Sequence, residues 1–270
     1  MLDKIRASYD RNGIEGVVRA TLRRVIPKWR PTVEQRIRLA ASTNPLDGTL
    51  EWLSQRSSFS IVQIGAYIGV SESDPICRFL LKEFGEGGKH TTNSTVILVE
   101  PVKEYYDELR RNYAGLNLKF ENVAIAETSG VRDLYRLSVR PETYGHPAWL
   151  SGLSSLRADR MTTLWDRYEK SQELKEFYLA HRVVERVRCM TLLELLTRHR
   201  VQELDLLQID AEGFDYEIIR TIDFGTLRPR FINYERVLLL ETERACRELL
   251  SNAGYLLIDH VQDTLAIRVD

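Results

Sequence analysis

The stretch Phe59-Ser-Ile-Val-Gln-Ile-Gly-Ala-Tyr-Ile-Gly-Val70 decides the fold class of this chain. An apolar run rich in β-branched residues ends at Gly65, and a second glycine follows at Gly69. This pattern predicts a buried strand that leads into a tight loop. Asp74-Pro75 then supplies an N-cap and a proline at the first helical position, so a helix follows. A strand, a glycine loop and a helix in this order predict a site for a nucleotide-like ligand.

The glycine pattern of this loop bears on which ligand it holds. A dinucleotide fingerprint needs three glycines so that the backbone can approach a pyrophosphate. Here the three positions are Gly65, Tyr67 and Val70. The loop therefore fits an adenosine ligand without phosphates, such as S-adenosylmethionine, better than a dinucleotide. Two glycines after a strand are also compatible with a plain turn.

The ends of the next two predicted strands add polar groups to this edge of the sheet. Residues 95–99 form a second apolar strand, which ends in Glu100. An acid at this position can accept hydrogen bonds from both ribose hydroxyls of an adenosine. The alternative is that Glu100 caps the following helix. A third strand, 118–125, is expected to place Asn122-Val-Ala124 beside the adenine.

A second motif, Leu204-Asp-Leu-Leu-Gln-Ile-Asp-Ala-Glu-Gly-Phe-Asp215, is rich in acids after a buried strand. Charged groups at a strand end are costly unless they are solvated, cap a helix or take part in chemistry. We expect Asp210 to lie in the site and Glu235, at the end of the strand 230–235, to reach the same edge. The two can bind Mg²⁺ as oxygen ligands. Alternatively, Asp210 holds the methionine end of the cofactor while His146 or Asp215 acts as the base.

Residues 138–184 interrupt the alternation of strands and helices. An insertion of this length in a compact domain usually covers a site. We interpret it as a cap that binds the acceptor, a small molecule or a glycan. Formation of a homodimer is the competing use of this insertion.

The N-terminal segment, residues 1–48, is basic. Residues 1–38 hold ten Lys or Arg and four acids, and the apolar residues between 14 and 25 lie on one helical face. We predict a helix there, a second one at 32–41, and a linker at 44–48 that leads into a domain spanning 49–270. We interpret the helices as covering the domain with their arginines solvated. Peripheral contact of a basic amphipathic helix with an anionic membrane, or with a partner protein, is the alternative.

Composition narrows the class of protein further. The formal net charge is -1, so nothing favours nucleic acid as a partner. Three scattered cysteines indicate neither a disulfide framework nor a zinc site and fit a reducing cytosol. We find no signal sequence and no transmembrane run of about 20 apolar residues. We therefore expect a cytoplasmic protein.

The whole pattern predicts an α/β fold with a doubly wound, mostly parallel sheet, a C-terminal antiparallel hairpin (255–258 with 265–269) and the N-terminal helical segment. Several motifs resemble those of the FkbM family of S-adenosylmethionine-dependent methyltransferases, from about residue 59 to the C-terminus. These motifs are Val62-Gln-Ile-Gly-Ala-Tyr-Ile-Gly69, Asp74-Pro75, Leu98-Val-Glu-Pro-Val102, Glu121-Asn-Val-Ala-Ile125, Ser154-Ser155, Asp205-Leu-Leu-Gln-Ile-Asp-Ala-Glu-Gly213 and Ala253-Gly-Tyr255.

The resemblance implies a class I methyltransferase (Rossmann-like) fold and O-methylation of a hydroxyl on a sugar, a polysaccharide or glycolipid, or a glycosylated or polyketide product. The chain departs from the pattern at Gln63, where many methyltransferases carry an acid, and at Tyr67, which narrows the pocket. An NAD(P)-dependent oxidoreductase and a catalytically degenerate nucleoside-binding module are the alternatives. The residues expected to bind the cofactor are Gln63, Gly65, Ala66, Tyr67, Gly69, Glu100, Pro101, Asn122, Val123, Ala124 and Asp210.

Overall fold

A computed structural model describes residues 44–70, 74–88, 90, 93–159 and 172–269 of this protein. The helices predicted at 14–25 and 32–41 lie outside these residues, as do residues 160–171 of the insertion. Within the described residues, the strands are β1 Ser60–Ile64, β2 Thr95–Val99, β3 Lys119–Glu121, β4 Ala124–Ile125, β5 Gly130–Leu137, β6 Arg182–Met190, β7 Leu206–Ile209, β8 Phe231–Glu235, β9 Tyr255–His260 and β10 Asp263–Arg268.

Seven helices surround these strands in the described part of the chain. None of them is long and apolar enough to cross a membrane. Short 3-10 helices at Pro141–Tyr144, Ala148–Gly152 and Leu240–Thr242 accompany them. The α-helices are α1 Pro45–Ser54, α2 Pro75–Phe84, α3 Lys103–Asn112, α4 Gln172–His181, α5 Leu192–Arg198, α6 Asp215–Ile219 and α7 Glu243–Asn252.

The main sheet has seven strands in the order β3-β2-β1-β7-β8-β10-β9. The first five of these run parallel, while β10 is antiparallel to both β8 and β9. The predicted sheet is therefore confirmed, including its C-terminal hairpin. The order reverses next to β1, and ligands of doubly wound sheets bind beyond the carboxyl ends of the strands at such a point.

A smaller sheet of order β4-β6-β5 differs from the prediction. The strand predicted over 118–125 divides at Asn122-Val123: β3 joins the main sheet, and β4 pairs with β6 instead. The insertion is shorter than the predicted 138–184, because it ends where β6 begins, at Arg182. The early start of β6 follows from its long antiparallel pairing with β5, since each added residue pair adds ladder hydrogen bonds.

The stretch 44–48, predicted as a linker, is instead the start of α1. Asn44 accepts a hydrogen bond from the backbone N–H of Leu46, and Pro45 occupies the first helical turn. Leu46, Leu50 and Leu53 are buried in the core beside β1. The sequence Asn-Pro is thus a helix start, as Asp74-Pro75 is for α2, and the helix continues across the predicted domain boundary at residue 48.

Both faces of the main sheet are covered, which is why its parallel strands read as continuous apolar runs. Neighbouring residues of β1 point to opposite faces: Ile61 packs in the cluster with α1 and α2, and Val62 packs in the cluster with α5, α6 and α7. The two layers of helices hold the strand ends in place. As a result, packing on both faces fixes the strand ends from which the loops after β1, β2, β7 and β8 begin.

Candidate functional site

A cavity of about 710 Å³ lies at this carboxyl edge. Its volume is in the range that holds small ligands. The lining comes from the loop after β1, the ends of β2, β7, β8 and β10, and the predicted insertion. The insertion contributes Glu142, Ala148, Trp149, Gly152, Ser154 and Leu156.

The loop after β1 is held by its own backbone. The N–H groups of Gly65 and Ala66 both donate to the carbonyl of Val99, at 3.0 Å each. The N–H of Tyr67 donates to Glu100 at 3.0 Å, and that of Gly69 donates to the carbonyl of Ala66. These four amides are therefore already bonded within the protein. A dinucleotide loop depends on free amides that face a pyrophosphate, and this loop does not offer these four for that purpose.

Both glycines of the loop adopt positive φ angles, 80° at Gly65 and 73° at Gly69. A Cβ atom at Gly69 would lie 2.4 Å from the ring of Tyr113. The hydroxyl of Tyr113 also donates to the carbonyl of Gly69 at 2.5 Å. Both glycine positions line the cavity, so side chains there would collide with the walls or fill the space.

Glu100 lies at the end of β2, only 4% exposed, with its carboxylate under the loop. One of its oxygens accepts from Tyr67 N–H at 3.0 Å and the other accepts from Val102 N–H at 2.8 Å. Burial raises the pKa of this carboxyl to about 7, and the two amides act in the opposite direction. Each oxygen keeps a second lone pair that can accept from a ribose hydroxyl. The Val102 bond fixes the residue before α3, but α3 has no side-chain cap among the described residues, so the alternative role of Glu100 as a helix cap is not supported.

Tyr67 connects the loop to the insertion. Its backbone is left-handed, with φ of 47°. Its ring packs edge-on against Tyr105, with centroids 4.7 Å apart, and its hydroxyl hydrogen-bonds to Ser151 of the insertion. Burial raises the pKa of this phenol. Tyr67 lines the cavity and also connects the loop after β1 to the insertion.

Residues after β3 divide into two groups. Val123 and Ala124 line the cavity, as does Pro101 after β2. Asn122 is not among the lining residues. Its side-chain amide instead donates to the carbonyls of Glu100 and Pro101, at 2.9 and 3.0 Å. It fixes the backbone next to the site, and its predicted hydrogen bond to adenine would have to come from its remaining carbonyl oxygen.

Asp74 is a lining residue that the sequence analysis assigned only to helix capping. One of its oxygens caps α2 by accepting from Ile76 N–H at 2.8 Å. The other accepts from the side-chain amide of Gln63 at 3.4 Å. Gln63 is buried and lines the same wall. Asp74 therefore places a carboxylate beside residue 63, where many methyltransferases carry an acid and this chain carries Gln63. The missing acid at residue 63 was the sequence feature that could have pointed to Asp74.

Asp210 follows β7 and points into the open part of the cavity. Its N–H donates to the carbonyl of Ile64 at 3.0 Å, and its side chain is exposed to the cavity. The surrounding protein withholds bulk water, and the charges of Asp215 and Asp263 add to this effect, so the pKa of Asp210 is raised. A carboxylate with a raised pKa is a better proton acceptor than an ordinary aspartate.

Asp215 and His146, the two other candidate bases, do not line the cavity. Asp215 is fully buried and accepts from Glu235 N–H at 3.1 Å, so it joins the start of α6 to the end of β8. Burial raises its pKa to about 7. The ring of His146 packs on Phe177 of the insertion, with centroids 4.2 Å apart. Neither geometry fits the predicted role of a base in contact with the acceptor.

The turn after Asp210 is fixed by the insertion. Glu212 has a positive φ of 51°, and its carbonyl accepts from the hydroxyl of Ser155 at 2.9 Å. Ser155 is buried and its backbone pairs with Tyr135 of β5. Ser155, which belongs to the family motif Ser154-Ser155, thus attaches the insertion to the acid-rich turn.

The charge of the lining is one-sided. Among the described residues that line the cavity there is no Lys, Arg or His. Burial and mutual repulsion raise the pKa values of Glu212 and Glu235, as they do for Asp210. Such a cavity favours a ligand with positive charge, and the sulfonium and ammonium groups of S-adenosylmethionine outnumber its carboxylate. The acidic lining residues are Asp74, Glu100, Glu142, Asp210, Glu212, Glu235 and Asp263.

The predicted Mg²⁺ site at Asp210 and Glu235 is not supported. Both residues line the cavity, yet within the described part of the chain no group of three or more His, Cys, Asp or Glu is arranged to hold a metal ion. A Mg²⁺ ion usually needs one or two carboxylates with further oxygen ligands in octahedral positions.

Comparison with known proteins decides the family. The family model described as "Methyltransferase FkbM domain" matches residues 63–257, which is more than half of the chain. The chain belongs to the FkbM methyltransferase family. Membership confirms the resemblance seen in the sequence motifs. It makes this protein an S-adenosylmethionine-dependent methyltransferase with the class I fold that the strand order shows.

Solved structures similar to this FkbM-family protein are remote. An O-methyltransferase from Bacillus cereus in complex with SAH has 11% identity and a TM-score of 0.39, and the match covers 98% of this chain and 100% of that one. The O-methyltransferase TomG from Streptomyces achromogenes, in complex with SAM, has 11% identity and a TM-score of 0.39, with 95% and 97% covered. These likenesses are too distant to bear on the substrate. No curated protein matches the chain.

Proposed function

We propose that this protein transfers the methyl group of S-adenosylmethionine to a hydroxyl group of a small molecule or glycan, such as a sugar, a glycolipid or a glycosylated or polyketide product. The observation that carries the proposal is the loop after β1. Its amides at Gly65, Ala66, Tyr67 and Gly69 are bonded internally, while Glu100 beneath it keeps free lone pairs. This combination suits an adenosine without a pyrophosphate and argues against the NAD(P)-dependent alternative.

The reaction requires alignment and removal of a proton. The sulfonium already activates the methyl group, so the acceptor oxygen has to approach in line with the bond between sulfur and methyl. An alcohol also has to lose its proton as the new bond forms. The three candidate bases are Asp210, Asp215 and His146. We assign Asp210 as the base, because it alone of the three lines the cavity.

We assign the insertion as the acceptor cap. Its lining residues, Trp149 and Leu156 among them, face the cavity opposite the sheet edge. Two hydrogen bonds hold it there, one from Ser155 to the Glu212 carbonyl and one between Tyr67 and Ser151. An aromatic side chain such as the half-exposed Trp149 can stack on a sugar face.

We place the activity in the cytoplasm. The three cysteines, Cys77, Cys189 and Cys246, are free and buried. Thiols of this kind fit a reducing compartment.

An acceptor screen tests the proposal. The full chain is incubated with S-adenosylmethionine carrying a labelled methyl group and a panel of sugars, glycolipids and polyketide glycosides, and the label is followed by mass spectrometry. We expect transfer to a hydroxyl oxygen of at least one class, and loss of transfer in Asp210→Asn. Label on nitrogen or carbon only, or transfer that survives Asp210→Asn unchanged, would contradict the proposed chemistry.

A further inference from the structure

Buried amides form a row across the sheet just below the cavity. Gln63 of β1 pairs in register with Gln208 of β7, which pairs in register with Asn233 of β8. All three are at least nine-tenths buried. Because they share one register position, their side chains lie on the same face of the sheet, one strand spacing of about 4.8 Å apart.

A row of carboxylates follows two residues further along the strands. Glu235 of β8 pairs in register with Asp263 of β10. Asp210 comes directly after Ile209, the last residue of β7, which pairs with Tyr234, so Asp210 lies beside Glu235. All three carboxylates line the cavity.

Among the described residues, two of the three amides have a hydrogen-bond partner, and the oxygen of the third has none. Gln63 donates to Asp74 at 3.4 Å, and Asn233 donates to Asp263 at 3.2 Å. The side-chain oxygen of Gln208 is buried and has no hydrogen-bond partner among the residues that the structure describes, although Gln208 lines the cavity. A buried acceptor without a donor is costly, so it indicates a donor that comes from a ligand.

The charges around Gln208 define the ligand further. The carboxylates of Asp210, Glu235 and Asp263 have only acceptors to offer when ionised. His260 and Arg236 act weakly on Asp263 from outside the cavity, and its pKa is still raised. A hydroxyl would satisfy Gln208 but would not relieve the mutual repulsion of these acids, which contributes to their raised pKa values. An ammonium group supplies three donors and a positive charge, and needs no acceptor of its own.

We propose that Gln208, Glu235 and Asp263, beside the proposed base Asp210, form a subsite for an ammonium group on the acceptor, so that this enzyme methylates a hydroxyl of an amine-bearing molecule such as an amino sugar. The inference rests on the proposed function and deepens it by naming the class of acceptor. A protonated amine has no lone pair and cannot take the methyl group, so it serves as the anchor while a neighbouring hydroxyl reacts.

The cofactor also carries an ammonium group, on its methionine end. Glu235 and Asp263 lie on β8 and β10, two and three strands away from β1, or roughly 10 and 14 Å. The glycine loop and Glu100 lie on β1 and β2. The far acids are therefore on the acceptor side, whereas Asp74 and Gln63 are placed for the cofactor.

Calorimetric titration with matched probes tests the subsite. The full chain, saturated with S-adenosylhomocysteine at pH 7, is titrated with ethanolamine, glucosamine and putrescine, and with their hydroxyl counterparts ethylene glycol, glucose and 1,4-butanediol. We expect at least one amine to bind about tenfold more tightly than its counterpart. If no amine is preferred, the ammonium subsite is wrong but the proposed methyl transfer still stands. If S-adenosylhomocysteine does not bind, both the subsite and the proposed function are wrong.

Three variants locate the preference. We expect the preference for an amine over its hydroxyl counterpart to fall below threefold in Glu235→Gln, Asp263→Asn and Gln208→Leu. Glu86 is an exposed acid outside the cavity, so Glu86→Gln should leave the preference unchanged. Gln208→Leu removes an unpartnered oxygen, so it should not lower the melting temperature. Preference that persists in all three variants contradicts the inference.

A last arm separates the two ammonium sources. The three variants should bind S-adenosylhomocysteine and methylthioadenosine, which lacks the methionine end, as the parent protein does. If they weaken binding of the first and not of the second, the carboxylates hold the cofactor's own ammonium and the inference is wrong.

Discussion

A Cβ atom on Gly65 would lie 1.8 Å from the carbonyl oxygen of Asp210. The loop after β1 and the acid-rich turn after β7 therefore touch at a point where only a hydrogen atom fits. The Asp210 N–H donates to Ile64 on the other side of the same contact. The two motifs that stand out in the sequence thus build one wall of the cavity together.

Gly65→Ala should separate these motifs. The added methyl cannot remain at 1.8 Å, so Asp210 has to move, and a positive φ costs alanine about 1 kcal/mol in addition. We expect a loss of about tenfold or more in affinity for S-adenosylhomocysteine, measured by calorimetry. Gly87→Ala is the matched control, because Gly87 has the same φ of 80° and no atom of the described residues within 4 Å of its added Cβ. Equal losses in the two variants would show that strain, not the contact, is responsible.

Glu100 should make the stability of the ligand-free protein depend on pH. Its carboxyl ionises near 4.5 when unperturbed, and burial raises the pKa to about 7 in the folded state. Between these values the folded protein keeps a proton that the unfolded chain has lost, so the free energy of unfolding falls as pH rises. At 1.4 kcal/mol per pKa unit, this loss is about 3 kcal/mol and is complete above pH 7.

Glu100→Gln isolates this effect in melting curves recorded from pH 5 to 8. The variant should show a shallower fall in stability than the parent, because the titrating group is gone. Its absolute stability also drops, since glutamine has one acceptor for the two amides of Tyr67 and Val102, so only the slopes are compared. Parallel curves for the two proteins would refute the buried, raised carboxyl.

Asp210 and Asp215 should behave differently when changed to asparagine. Asp210→Asn removes the proposed base, so turnover should fall about 100-fold or more. Asp215→Asn keeps an oxygen for the N–H of Glu235 and lies outside the cavity, so turnover should stay within about threefold while stability shifts by about 1 kcal/mol. Steady-state kinetics with an acceptor found in the screen decides between them. A larger fall in turnover for Asp215→Asn would make Asp215 the base.

Ser155→Ala should loosen the insertion without touching the cofactor. It removes the hydrogen bond to the Glu212 carbonyl, which contributes about 1 kcal/mol. We expect faster hydrogen exchange in residues 141–155 and a higher KM for the acceptor, with unchanged affinity for S-adenosylhomocysteine. Ser129→Ala, on the loop before β5 and away from the cavity, serves as the comparison. Unchanged exchange in Ser155→Ala would contradict the role of this bond.

Much of the fold follows from short-range signals in the sequence. The Asp74-Pro75 cap, the Thr191 cap of α5 and the apolar runs of β1, β2 and β7 each determine their own element, and the structure contains them. The linker prediction is wrong because Asn44-Pro45 starts a helix in the same way as Asp74-Pro75. The prediction of one strand over 118–125 is wrong, because its division at Asn122 depends on the pairing of β4 with β6, some 65 residues away. No local sequence pattern encodes this pairing.

The sequence predicted a lining residue of the cavity wherever a polar residue directly follows an apolar strand. Glu100 and Asp210 come directly after apolar strands, and parallel strands deliver their ends to one edge. The positions of the His146, Asp215 and Asn122 side chains could not be predicted, because they depend on the conformation of a loop or of a helix start. Asp74 was missed for the same reason, since a cap residue can face the helix and the cavity at once.

Calorimetric titration of the purified protein with S-adenosylmethionine, S-adenosylhomocysteine and NAD tests the central claim most directly. The loop offers Glu100 to a ribose and none of its four bonded amides to a pyrophosphate. We therefore predict micromolar binding of the first two ligands and no binding of NAD. Binding of NAD alone would contradict the account, and binding of none of the three would leave a degenerate module in its place.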